Sequence, residues 1–209
     1  MSAHSVEIAA LDDAIAALQA GELVIYPTET FYGIAADPLS STALEKLFAI
    51  KGRDPQKPVA LIAADAQMAF EVASEIPPSA RRLAKAFWPG PLTIVLPARD
   101  GFPAQLVGPD GGVGVRVSSH PIARALSEGI RRPITATSAN RSGEDPATTV
   151  QMARDSLGDK VKVFLDGGTL RASAPSTVIA CDVSGWRIIR AGAIGELAIA
   201  AALSEGTLQ

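Results

Sequence analysis

Cysteine is almost absent from this chain. Cys181 is the only one in 209 residues, so no internal disulfide can form. It sits in the apolar run Thr177-Val-Ile-Ala-Cys181 and reads as a buried small hydrophobe, not a nucleophile. Histidine is nearly as scarce. His4 and His120 are the only two, and no cluster of Cys, His and carboxylates has ligand spacing, which argues against a metal cage built from side chains. Aromatic residues are few: 6 Phe, 2 Tyr and 2 Trp make ten, a poor supply of stacking platforms for single-stranded nucleic acid. Neither sign of charge dominates. Nineteen basic residues face 22 acidic ones for a net charge of −3, so a whole-surface footprint for a polyanion is absent and only a local basic cleft is compatible. No apolar run approaches a membrane span, and Met-Ser-Ala-His lacks the cationic and apolar regions of a signal peptide; the expectation is a soluble, cytoplasmic protein with no membrane partner. No Gly-x-x-x-x-Gly-Lys-Ser/Thr occurs, which disfavours a P-loop nucleotide site.

What is present is a hydrophobic fraction of 47%, enough to bury a sizeable core. Ile8, Leu11, Ile15 and Leu18 mark one helical face that Gly21 ends. Leu23 to Tyr26 reads as a strand stopped by Pro27. Thr42-Ala-Leu-Glu45 has the form of a capping box, opening a helix with Leu44, Leu47 and Phe48 on its apolar stripe. Val59 to Ile62 reads as a strand. Helices are expected at 66–73, capped by Asp65, and at 79–87, stopped by Pro89. Leu92 to Leu96 and Val113 to Val117 read as strands, and in the second the three valines should face the core, with Arg116 on the opposite face. A helix from Pro121 to Glu128, a strand at 134–137, a helix capped by Thr148 or Thr149 and closed by Gly158, strands at 161–165, 176–181 and 186–190, and a helix at 196–203 complete the order. Strands and helices are interleaved irregularly. The fold class expected is α/β (α+β), a twisted mixed open sheet with flanking helices and a concave cationic cleft. No repeat or domain-splitting linker is visible. One catalytic domain over 1–209 is expected, with its core at about 8–192 and a C-terminal helix at about 196–203.

Several polar segments interrupt this frame. Lys51-Gly-Arg-Asp-Pro-Gln-Lys-Pro58 carries three cations and two stiffening prolines; it is either an arm that clasps a triphosphate or a solvated charged loop. Thr135-Ala-Thr-Ser-Ala-Asn140 ends a strand in small residues, with Ser138 and Asn140 as donors or as a cap or Asx-turn. Thr28 and Thr30, in Pro27-Thr-Glu-Thr-Phe-Tyr-Gly33, either hold a small polar ligand or are surface threonines in an ordinary strand-turn-strand. Arg116 either meets water or faces a cleft, where its fork of donors would suit a carboxylate. Ser176, after Pro175, and Arg190, at a strand end, offer a hydroxyl and a cation. Two cations and a hydroxyl/amide pair are the groups proteins use to hold phosphate oxygens, and near-neutral overall balance favours a small phosphorylated ligand over a long polyanion.

Taken in order, Pro27-Thr-Glu-Thr-Phe-Tyr-Gly33, Lys51-Gly-Arg53, Lys57-Pro58, Trp88-Pro-Gly-Pro-Leu-Thr93, Val115-Arg-Val117, His120-Pro121, Ser138-Ala-Asn140, Asp166-Gly-Gly168, Pro175-Ser-Thr177 and Arg190-Ala-Gly192 resemble the motifs of the YrdC/Sua5 family of threonylcarbamoyl-AMP synthases, in its short single-domain form. The resemblance implies synthesis of threonylcarbamoyl-adenylate and pyrophosphate from L-threonine, bicarbonate and ATP. Magnesium would accompany the ATP, and no protein side chain would ligate it. Downstream proteins would transfer the threonylcarbamoyl group to adenosine 37 of tRNAs that read ANN codons, with at most a weak tRNA contact by this chain. The resemblance assigns Lys51, Arg53, Ser138, Asn140 and Arg190 to ATP, with an electrostatic role for Lys51 and Arg53 and no nucleophile. It assigns Thr30, Arg116, Ser176 and the backbone near Ala136 to threonine. Where some members carry a histidine near the amino acid this chain has Val59-Ala-Leu-Ile-Ala63, so Ile62 stands in that stretch, and Thr137 and Ala191 stand where prolines are frequent. Two rival readings are an RNA-binding module with a cationic concave face and a carbamoyl-adenylate-forming module of the hydrogenase-maturation type.

Overall fold

The structure is a computed structural model that describes residues 3–52, 57–161, 163–171 and 174–204, with the backbone alone for 3–10 and 159. Arg53 falls outside the described residues. In chain order the elements are α1 (Ala3–Gln19), β1 (Val24–Tyr26), β2 (Gly33–Ala35), α2 (Ser41–Lys51), β3 (Ala60–Ala63), α3 (Ala66–Phe70), α4 (Pro78–Phe87), β4 (Leu92–Pro97), β5 (Gly112–Val117), α5 (Pro121–Gly129), β6 (Ile134–Ser138), α6 (Val150–Leu157), β7 (Val163–Phe164), β8 (Thr177–Asp182), β9 (Gly185–Arg190) and α7 (Glu196–Ser204). The strands form one mixed sheet in the order β7-β1-β2-β6-β3-β5-β4-β8-β9.

The two-residue period of the strands divides their side chains between the two faces of this sheet. Ile25, Ile34, Leu61, Val113, Val115 and Val117 join a large core with Leu44 and Leu47 of α2, Leu83 of α4, Leu157 of α6 and Ile199 of α7. Val24, Tyr26, Ala35, Ile62 and Ile134 point the other way, into a smaller core with Leu18 of α1 and Leu126 of α5. Each fully buried Leu or Ile contributes roughly 1.5–3 kcal/mol. The helices α1 and α5 cover only part of that second face. The uncovered part is the floor of a cleft, and Arg116 lies in it because the valines on either side are committed to the large core.

Local chemistry sets the element ends. Gly21, at φ +76°, lets the chain leave α1 in a left-handed turn. The cap of α2 is Ser40, whose hydroxyl accepts from Ala43 N at 3.2 Å; Thr42 only shares a 3.0 Å hydroxyl contact with it, so the expected capping box at 42–45 does not form and a simple cap lies two residues earlier. Asp65 caps α3 as expected, accepting from Met68 N at 2.8 Å, but the helix stops at Phe70, short of 73. Beyond it Ala73 bridges to Ala98 and Ser74 N donates to Pro97 O, so the sheet edge claims the backbone. Thr149 caps α6. The strand expected at 161–165 is reduced to Val163–Phe164 beside β1. Strand β2 is the second strand of the strand-turn-strand alternative for 27–33, whose bounds the sequence left open. It is three buried residues paired antiparallel to β1, Tyr26 opposite Gly33.

Candidate functional site: a cationic cleft on the open sheet face

The uncovered face carries a cavity of about 760 Å³, within the range of small-molecule sites. Of the expected site residues, Thr30, Arg116, Ala136, Ser138, Asn140, Ser176 and Arg190 all line it. They come from five separate segments, and the guanidiniums of Arg116 and Arg190 share the one hollow.

One wall is the loop that leaves β6. Lys51, at the last turn of α2, is only 4% exposed, and its ammonium lies beneath this loop. Its Nζ donates to the carbonyl oxygens of Ser138 and Asn140, each at 2.7 Å, and to Asn140 Oδ1 at 3.2 Å. Asn140 Nδ2 in turn donates to Glu144 O at 2.6 Å and Arg141 O at 3.0 Å. Ala139 N donates to Tyr32 O at 2.7 Å and Ser142 N to Lys51 O at 3.0 Å. The loop is therefore fixed from both sides, with the Ser138 hydroxyl at the cavity.

The opposite wall is the end of β9 against the residues before β8. Arg190 Nη2 donates to Ser176 O at 2.8 Å and to Ser176 Oγ at 3.2 Å, and Ser176 Oγ lies 3.0 Å from Thr93 Oγ1. The chain turns back after Arg190 only because residue 192 is glycine: a Cβ there would lie 2.4 Å from Pro175 O and 2.6 Å from Thr177 N. Thr177 locks the return by donating to Ile194 O at 2.7 Å and accepting from Ile194 N at 2.9 Å.

The rim between these walls is the β1–β2 turn. Thr28 and Thr30 are buried, not surface threonines. Thr28 Oγ1 donates to Phe31 O at 2.7 Å, accepts from Thr30 N at 3.1 Å and lies 3.0 Å from Thr30 Oγ1. Such local side-chain bonds hold a turn that has no ladder of its own. Tyr26, at the end of β1, donates its hydroxyl to Thr135 O at 3.0 Å, and burial pushes its pKa up, so it stays neutral. Arg116 is 7% exposed, with Nη1 3.2 Å from Glu29 Oε1.

Two contributors were not singled out from sequence. Tyr32 reaches across the chain to Asp166-Gly-Gly168: its hydroxyl donates to Gly168 O at 2.7 Å and accepts from Gly167 N at 2.9 Å. Burial raises its pKa, with the Asp166 carboxylate adding to the effect against the Gly167 N–H. Glu29, inside a quoted motif but given no role, is the counter-charge of Arg116. Cys181 is buried as expected, and burial raises its thiol pKa, which removes thiolate character. Among the described residues no group of three or more His, Cys, Asp and Glu could hold a metal ion, and no helix is long and apolar enough to cross a membrane.

An open mixed sheet thus gathers two guanidiniums, hydroxyls and an amide into one hollow. The chain belongs to the Sua5/YciO/YrdC family, whose model, described as "Telomere recombination", matches residues 16–192. It is 40% identical over 169 residues to the threonylcarbamoyl-AMP synthase of Pyrococcus abyssi, covering 81% of this chain and 49% of that protein. It is 35% identical over 190 residues to a putative threonylcarbamoyl-AMP synthase of Mycobacterium tuberculosis, covering 91% of this chain and 87% of the relative. The crystal structure of P. abyssi Sua5 complexed with L-threonine superposes with a TM-score of 0.89 at 36% identity, over 95% of this chain and 58% of that one. The chain thus spans about half of the archaeal protein and most of the mycobacterial one.

Proposed function

We propose that this protein is a threonylcarbamoyl-AMP synthase, joining L-threonine, bicarbonate and ATP into threonylcarbamoyl-adenylate with release of pyrophosphate. The observation that carries this reading is the Arg190–Ser176 hydrogen bond at 2.8 Å, in a cavity that also takes in Arg116 and Ser138. The same Nη2 also donates to the Ser176 hydroxyl at 3.2 Å, so a cation suited to phosphate stands beside a hydroxyl suited to an amino acid, and substrates held by the two would lie side by side. The names of the relatives and the threonine complex of the P. abyssi protein support the same chemistry.

Bicarbonate loses water to give carbon dioxide, which the neutral amine of threonine captures as a carbamate, the amine giving up a proton to solvent. A carbamate oxygen then attacks the α-phosphorus and pyrophosphate leaves. No side-chain nucleophile takes part. Charge grows on phosphoryl oxygens, and fixed cations and N–H donors stabilise it without reorganising. In this assignment Arg116, Thr30, Ser176 and the backbone at Ala136 hold threonine, while Ser138, Asn140 and Arg190 hold ATP, with Lys51 acting through its field and the loop it ties. Arg53 joins the ATP group by its place in the motif. The donor set suits magnesium carried on the ATP phosphates and hydrated by water, as that ion prefers. The product would be consumed in the cytoplasm by proteins that modify adenosine 37 of ANN-reading tRNAs.

The test is pyrophosphate release from ATP, with threonine and bicarbonate each omitted in turn. Release that requires both supports the reading. Release that needs neither, or that needs RNA and falls steeply with salt, rejects it.

A further inference from the structure

Arg116 is unusual in having its counter-charge behind it. Its side chain is 8% exposed and that of Glu29 is 13% exposed, and Glu29 does not line the cavity that Arg116 lines. The contact between Nη1 and Oε1, at 3.2 Å, is an ion pair but not an aligned hydrogen bond, so Arg116 Nε and Glu29 Oε1 remain buried without a hydrogen-bond partner among the described residues. A buried guanidinium without a counter-charge would be strongly destabilised. Here Glu29 supplies that charge while, among the described residues, no hydrogen bond commits the donors of the fork.

Glu29 is itself anchored. Its second oxygen, Oε2, accepts from Ser118 Oγ, and Ser118 Oγ accepts from His120 N at 3.1 Å. Ser118 O accepts from Arg124 Nη1 at 3.0 Å. The carboxylate therefore ties the β1–β2 turn, which carries Thr30, to the end of β5, which carries Arg116. The ionisable groups acting on this cluster are Arg116, Arg124, His120 and the Tyr26 hydroxyl.

We propose that Glu29 is a positioning residue for the amino-acid half of the site: through Arg116 it fixes the fork that receives the substrate carboxylate, and through Ser118 it fixes the distance from Arg116 to Thr30. This rests on the reading of Arg116 as the carboxylate ligand. A neutral glutamine at 29 keeps the volume and a bond to Ser118 but removes the charge that orients the guanidinium.

The experiment measures KM for threonine and for ATP, by pyrophosphate release, in Glu29→Gln, Ser118→Ala, Arg116→Ala and the double variant Arg116→Ala/Glu29→Gln. Glu29→Gln is expected to raise the threonine KM by roughly tenfold or more while the ATP KM stays within about twofold. Ser118→Ala should raise the threonine KM by about two- to threefold, and it carries the test if Glu29→Gln does not fold. The double variant should be no worse for threonine than Arg116→Ala alone, because Glu29 acts through Arg116. An unchanged threonine KM in Glu29→Gln beside a raised one in Arg116→Ala overturns the positioning role alone. Equal rises in both KM values would mean general damage to the fold and overturn it too. An unchanged threonine KM in Arg116→Ala sinks the carboxylate-ligand reading, and the proposal with it.

Discussion

Lys51 and Ser138 stand 87 positions apart, yet the ammonium of the first donates to the main-chain carbonyl of the second at 2.7 Å. The bond joins the C-terminus of α2 to the end of β6, and a second bond of equal length to Asn140 O extends it along the loop. A cation placed there satisfies carbonyls turned inward, and in the proposed assignment its field also acts on the ATP phosphates.

Replacing Lys51 should therefore impair both catalysis and the loop. For Lys51→Met, which keeps the stem, turnover should fall by roughly a hundredfold or more, the loss expected when a fixed electrostatic contributor is removed. The thermal midpoint should drop by a few degrees as buried carbonyls lose their donor. Pyrophosphate release and a melting curve check both. Wild-type turnover would remove Lys51 from the phosphate machinery.

Gly192 makes a purely steric prediction. Gly192→Ala forces a methyl to within 2.4 Å of the backbone before β8, which cannot yield as a flexible side chain would. The expected cost is about 1–3 kcal/mol, read as a lower urea midpoint, together with higher KM values for both substrates because Ser176 and Arg190 move. Gly195→Ala is the control, since among the described residues, its two chain neighbours aside, nothing lies within 4 Å of its Cβ position. Equal behaviour of the two variants would contradict the packing argument.

His120 gives a pH dependence. Burial holds its imidazole below the ordinary value of 6.5, with Glu29 opposing and Arg124 adding to the effect. The neutral ring caps α5, its Nδ1 accepting from Ile122 N at 3.3 Å. With the folded value depressed, the unfolded chain binds the proton more readily. The stability from this group is complete above about pH 6.5 and is lost as pH falls from there through the folded value. Urea midpoints at pH 7.5 and 5.5 should differ more in the wild type than in His120→Asn, which caps without titrating in that range. Parallel losses in both proteins would remove His120 as the cause.

Much of this organisation was readable along the chain. The alternation Val113-Gly-Val-Arg-Val117 placed Arg116 opposite the core, because a strand has only two sides. Helix α3 began where Asp65 stood before it. Other features were not readable. The bounds of β2 are an example: a strand-turn-strand was one open reading, but Gly-Ile-Ala has no alternation and only one strong β-former to mark its ends, and pairing with β1 sets them. Ser40 and Thr42 compete for one cap on nearly equal chemistry, and only the approach of the chain decides in favour of Ser40. The role of Glu29 was hidden because Ser118, its hydrogen-bond partner, is 89 positions away.

By itself the sequence determined which residue types are available, which side of each strand they occupy, and that the ordered motifs are those of this family. These depend on neighbours within a few residues, where sterics and periodicity act directly. The tertiary structure alone decided that Arg116 and Arg190 share a cavity, that Lys51 faces carbonyl oxygens, and that a carboxylate stands behind Arg116. Those relations arise from strand order in a sheet whose neighbours are remote in the chain, and no local periodicity encodes which remote strands will lie side by side.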